Sequence, residues 1–312
     1  MKKRLQNKVA ESRIALPVVA VYATCCWVLT GLIKENWWVQ FGCFALSTYL
    51  MMVINNRYAL IRVYSRMLSC SFMALTCMAC FLFPSLQGAV IQLLVIATYL
   101  ILFRTYQEKS SAGMTYYGFL FVGLATMVYS PIMYLLPVFW LLIWSNLQAL
   151  SWRTFLASLL GVVTPYWFWV CWLFYQEDLA LFTDHFIPLA DFQKPFHLSV
   201  LSLGETATFV LVVAFTILGA IHFWRTSFMD KIRIRQLYSL FIRMNLVIFL
   251  LICLQPQHYD PLIRLAIVNT APLAGHYISL THTRFSNLVF CAMVVIILSL
   301  TTYNLWTLSS LF

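Results

Sequence analysis

Residues 87–129 read QGAVIQLLVIATYLILF, then RTYQEKSSA, then GMTYYGFLFVGLATMVY. Two apolar runs without a single Asp, Glu, Lys or Arg flank a short link that holds Arg104, Glu108 and Lys109. As an α-helix, a run of this length crosses most of a ~30 Å hydrocarbon layer. Lipid offers the backbone no hydrogen-bond partners, so such runs are helices that satisfy themselves.

The same alternation recurs along the chain. Apolar runs are expected at 14–33, 37–54, 67–84, 87–103, 113–129, 131–149, 154–175, 206–224, 237–254, 261–281 and 286–308. Composition agrees, with 62% hydrophobic residues, 10% charged and a mean hydropathy of +0.84. A water-facing surface is not built from so few charges. The expected fold class is all-α: a polytopic transmembrane helical bundle of about eleven spans in one integral membrane domain, residues 1–312.

The net charge of +10 does not imply nucleic acid here. Basic residues gather in cytoplasmic loops of membrane proteins, where anionic headgroups attract them. With the N-terminus inside and the spans alternating, the inner segments collect Lys2, Lys3, Arg4, Lys8, Arg13, Arg57, Arg62, Arg66, Arg104, Lys109, Arg153, Arg225, Lys231, Arg233, Arg235 and Arg284. Lys34, Lys194 and Arg264 fall outside, and Arg243 lies within a span. The acids Glu35, Glu177, Asp178, Asp184, Asp191, Glu205 and Asp260 fall outside. The C-terminus at Phe312 is then outside, and the expected location is a bacterial inner membrane.

The opening Met-Lys-Lys-Arg and the run that follows resemble a signal peptide, but the run is long enough to span, so an uncleaved first helix is expected. The nine cysteines all lie in apolar stretches, where they read as small packing residues, Cys77-x-x-Cys80 included. Ser130-Pro131 and Asp260-Pro261 read as a capping side chain before a proline at the first helical position. Pro137, Pro165 and Pro272 fall inside spans and are expected to kink them. Trp37, Trp38, Trp167, Phe168, Trp169, Trp172 and Tyr175 read as an interfacial aromatic belt.

The largest outer, periplasmic loop is expected at 176–205. It carries Glu177, Asp178, Asp184, His185, Asp191, Lys194, His197 and Glu205, and its Phe182, Phe186 and Phe192 suit a segment lying along the membrane surface. The candidate catalytic acids are Glu35, Asp178 and Asp184, as general base or acid near a membrane surface. Candidate lipid or anion ligands are Arg57 and Arg62 in a polar inner loop, and the deep Arg243, which either snorkels or faces a polar cavity. Asp260 and Arg264 share a helix face and can pair. His276 and His282 lack the spacing of paired metal ligands, and no metal or cofactor is expected. Membrane lipids are the expected partners.

The order Asn55-Asn56-Arg57-Tyr58-Ala59-Leu60-Ile61-Arg62, Phe83-Pro84, Tyr99 to Arg104, Gly118-Phe119-Leu120, Pro131, Pro137, Trp152-Arg153, Gly161 and Pro165 resembles a family of multi-pass membrane proteins of Bacteroidota without an assigned activity. The helix order is also similar to the membrane core of GT-C-type glycosyltransferases. That resemblance implies a polyprenyl-phosphate sugar donor and an acidic catalytic residue in the first outer loop. That loop offers only Glu35, and Ser85 and Gln87 stand near Pro84 where the family has a second acid. Three roles follow as expectations: a subunit or accessory factor in cell-envelope assembly, with a membrane-protein partner; a GT-C-like transferase; and a transporter.

Overall fold

The computed structural model describes residues 4–192, 195, 196 and 198–309, so Lys2, Lys3, Lys194, His197 and Phe312 lie outside the described residues. Among the described residues all regular structure is helical. The elements are α1 (Leu5–Ala10), α2 (Ala15–Thr30), α3 (Trp38–Tyr58), α4 (Met67–Met78), α5 (Leu86–Leu102), α6 (Ala112–Val128), α7 (Leu136–Leu142), α8 (Trp152–Tyr175), α9 (Ala180–His185), α10 (Ile187–Ala190), α11 (Leu203–Thr226), α12 (Ile232–Leu254), α13 (Tyr259–Leu280) and α14 (Arg284–Ser309). Short 3-10 segments and one π turn, Ile143–Leu147, join or extend them.

Among the described residues, seven helical segments are long and apolar enough to cross a membrane: Trp38–Tyr58, Leu86–Thr105, Ser130–Leu147, Trp152–Tyr175, Leu203–Met229, Ile232–Leu254 and Arg284–Leu308. They mark a membrane-embedded protein. Three shorter apolar helices, α2, α4 and α6, accompany them.

Helix α13 is different in kind. Every residue from Leu262 to Leu280 is buried, and α4, α5, α11 and α12 pack around it. Its sequence explains the position. Arg264, Asn269, Thr270, His276 and Ser279 are costly against lipid, so the helix that carries them is surrounded by protein. By contrast α14 exposes Phe285, Leu288, Val295 and Trp306.

Close contacts between helices use residues without bulk. Gly123 of α6 meets Gly161 and Val162 of α8, and Gly275 of α13 meets Met67 and Leu68 of α4. With lipid outside and no hydrophobic drive between helices, such close backbone packing holds a membrane bundle together.

Many polar contacts lie at the two ends. At one end Ser65 Oγ donates to Ala10 O (2.8 Å), Ser279 Oγ to Ser65 Oγ (2.9 Å) and Ser151 Oγ to Lys109 O (2.9 Å). Arg233 donates to Phe103 O (2.7 Å) and lies over the Tyr58 and Tyr106 rings. This end carries Lys8, Arg13, Arg57, Arg62, Lys109 and Arg284, and is called the basic end. At the opposite end Gln87 donates to Val128 O (2.7 Å), Tyr259 to Glu205 O (2.7 Å) and Asn304 to Met78 O (2.7 Å).

Several local expectations are corrected. Ser130 does not cap: its Oγ donates to His185 O (2.7 Å), and Tyr129 holds the N-cap position. Helix α13 begins before Asp260, with His258 at the N-cap, so Asp260 is free to accept from Arg264 Nε at 2.7 Å. Pro137 lies inside the segment Ser130–Leu147, where the 3-10 turn Ser130–Leu135 passes into α7. Pro165 and Pro272 lie inside α8 and α13. The nine cysteines are free thiols, with Cys77 and Cys80 fully buried as packing residues.

The segment after α8 forms α9 and α10 and is fastened to the end of the bundle. His185 Nε2 lies 3.1 Å from Thr126 O, Tyr134 donates to Leu189 O, and Gln257 donates to Asp191 O (2.5 Å).

Candidate functional site

A buried ionisable cluster sits at the basic end, between α11, α12 and α13. The 3-10 turn Ser227–Met229 ends α11 and turns the chain into Asp230, just ahead of α12. This places the Asp230 carboxylate beneath His276 of α13. His276 Nε2 lies 3.2 Å from Asp230 Oδ2, and the two side chains are 0% and 1% exposed.

Three further groups complete the cluster. Arg62, on the turn after α3, brings Nη1 to 3.9 Å from Asp230 Oδ1; its side chain is 31% exposed. The His222 ring of α11 is centred 5.4 Å from His276, and the Tyr238 ring of α12 4.8 Å from it. Phe223 closes the apolar side. An isolated carboxylate is expensive to bury, and here an imidazole and a guanidinium offset that cost.

The hydrogen bonding is incomplete. Asp230 Oδ1, His276 Nδ1, His222 Nε2 and the Tyr238 hydroxyl are buried without hydrogen-bond partners. Native interiors leave few such atoms, and those they leave call for a reason. With Nε2–H donating to the carboxylate, Nδ1 of His276 keeps an unused acceptor lone pair in a buried setting.

Two more polar layers lie along α13. At mid-helix, Asn245 of α12 donates to Thr216 of α11 (3.1 Å) and Thr270 of α13 (2.9 Å), and Asn269 is buried without partners. At the far end buried Arg264 pairs with Asp260 and donates to Leu82 O. Near it the Tyr129 hydroxyl lies 2.5 Å from His258 Nδ1. Burial pushes the His258 pKa below its ordinary value, and the Asp191 charge opposes this in part. Burial also lowers that of His185, against the carbonyl of Thr126.

The residues expected from sequence are not brought together. Glu35 is exposed on the turn between α2 and α3, and Asp178 and Asp184 are exposed around α9. No hydrogen bond or ion pair joins them, among the described residues. Arg57 is exposed in the last turn of α3, while Arg62 reaches the cluster. Arg243 reaches toward the basic end and donates to Ser145 Oγ (2.9 Å) and Asn146 Oδ1 (2.8 Å). Asn146 in turn donates to Gln236 O of the first turns of α12 (3.0 Å). Arg243 is thus held on the π turn by two hydrogen bonds.

Sequence reasoning passed over Asp230 and His222, and weighed His276 only against His282 as a metal ligand. Asp230 stands among Arg225, Lys231, Arg233 and Arg235, where its charge is lost in a basic loop. The one available signal is that it is an acid on the side where basic residues collect. Among the described residues, no group of three or more His, Cys, Asp or Glu side chains is placed to hold a metal ion.

Comparison with family models, with curated proteins and with solved structures finds no match to this chain.

Proposed function

We propose that this chain is an eleven-pass protein of a bacterial inner membrane, with its N-terminus in the cytoplasm, and that it works by proton-coupled transport through the Asp230–His276 pair. Support for the topology comes from the helix order: each of the eleven apolar runs contains a helix, and successive connections fall alternately at the basic end and at the opposite end. Cations on one side of a bilayer orient it. Reporter fusions at Arg57 and Asp184 test this: activity on the same side of the membrane defeats the topology.

The observation that carries the transport reading is a carboxylate and an imidazole buried against each other with unpartnered atoms on both. Ionisable groups buried within membrane proteins mark ion and proton paths, and this pair would stand at the basic end of such a path. In proteoliposomes loaded with a pH-sensitive dye, the wild type is expected to pass protons down an imposed gradient. Asp230→Asn and His276→Gln are expected to abolish this, and wild-type vesicles as tight as empty ones would refute it.

A role as subunit or accessory factor of an envelope assembly is the second reading. It is favoured by the acidic, aromatic outer segment around α9 and α10, which is anchored yet exposed. Isolation in mild detergent tests it: a stable partner is expected, and a lone chain counts against it. The transferase reading rests on Glu35, and Glu35→Gln with unchanged envelope glycans removes it.

A further inference from the structure

An apolar recess opens in the flank of the bundle near the basic end, between α1, α2, α4, α13 and α14. Its volume is about 140 Å³, and Val19, Cys70, Ala74, Ile278, Met293 and Ile297 are among the residues that line it. A dry cavity of this size in a protein interior takes up a benzene-sized hydrocarbon. Here the recess is open at the side, where Val294 is 40% exposed. Its setting is the hydrocarbon flank of a membrane protein rather than water.

Segments that carry cations meet at the basic end beside it, where Ser65 Oγ donates to Ala10 O and Gln6 of α1 donates to the O of the lining residue Ile278. Lys8 precedes the lining residue Val9, and Arg66 precedes Met67. Arg13 precedes the start of α2, and Arg284 begins α14. The lining positions Phe290 to Ile297 lie six to thirteen residues beyond Arg284. At 1.5 Å per residue that is ~9–20 Å of depth. A leaflet's hydrocarbon is about 15 Å thick, half of a ~30 Å core. Charge at the top and apolar surface over one leaflet's depth together match one molecule.

We infer that this recess holds a segment of one acyl chain of an anionic phospholipid, the rest of the chain lying along the flank in the bilayer, with the lipid phosphate held among Lys8, Arg13, Arg66 and Arg284. The site is separate from the Asp230–His276 pair and stands whether or not that pair moves protons. Lipid phosphate suits guanidinium groups, which offer it paired N–H donors.

Native mass spectrometry of the full chain tests the site, using phosphatidylglycerol and phosphatidylethanolamine with the same acyl chains. The wild type is expected to retain one phosphatidylglycerol, bound at least tenfold more tightly than phosphatidylethanolamine. Ala74→Trp, which fills the recess, and Val294→Phe at its rim are expected to weaken both lipids by tenfold or more. Arg66→Gln with Arg284→Gln is expected to erase the preference while leaving the weaker binding in place. Equal retention of the two lipids by the wild type overturns the proposal, as does unchanged phosphatidylglycerol binding in a folded recess variant. The wild-type comparison decides the matter even if neither recess variant folds.

Discussion

Gly161 of α8 lies so close to α6 that a Cβ added to it would stand 2.5 Å from the carbonyl oxygen of Tyr116. Across the same contact, a Cβ on Gly123 would stand 2.7 Å from Val162 O. Both obstacles are backbone, which cannot rotate away as a side chain can.

Gly161→Val is therefore expected to part α8 from α6. Overpacking of this kind costs about 1–3 kcal/mol. Thermal unfolding in detergent should show the loss. Gly42→Ala, at a helical glycine with nothing within 4 Å, should instead leave stability unchanged or raise it by up to about 1 kcal/mol. Equal effects at the two sites would contradict the packing argument.

Asp230 and His276 should be coupled. Removing one member leaves the other buried without its hydrogen-bond partner, which costs about 1–3 kcal/mol, and more where the group left behind is the carboxylate. Asp230→Ala and His276→Leu are each expected to destabilise the protein, and the double variant to lose less than the sum. A double-mutant cycle on unfolding midpoints reads the coupling directly, and strict additivity would mean that the pair does not interact.

Asn245 ties three helices together through Thr216 and Thr270. Interhelical hydrogen bonds in membranes average about 0.6 kcal/mol, with a maximum near 1.7. Asn245→Leu should cost no more than that for each bond lost. Collapse of the fold in this variant would show a larger role.

Acid should weaken the end of the bundle opposite the basic one. Burial lowers the native pKa of His258 below its ordinary value of 6.5, so the unfolded chain binds the proton first. The stability that the neutral ring contributes is complete above about pH 6.5 and is lost as pH falls through the lowered native value. His185 has the same sign. Unfolding midpoints taken from pH 8 to pH 5 should fall on the acid side, and fall less in His258→Gln. A flat profile in the wild type would oppose the assignment.

Much of the fold was legible in the sequence because it depends on local quantities. Each apolar run found in the chain contains a helix, and the Asp260–Arg264 pairing followed from a spacing of four. The caps were less legible. Ser130 and Asp260 were available to cap, yet His185 O and Arg264 compete for them, and those partners depend on how distant segments dock. The site was the least legible part. Asp230 and His276 are 46 residues apart, and nothing in either neighbourhood points to the other.

What the sequence alone determined is the solvent. Side chains this apolar must sit in hydrocarbon, and a backbone in hydrocarbon must coil into helices. Only the tertiary structure decided that α13 is the helix to be enclosed, and which polar groups meet around it. Hydropathy acts on each residue through its immediate medium. Whether a carboxylate faces an imidazole depends on the rotation and approach of two separate helices, which are set by the packing of the whole bundle.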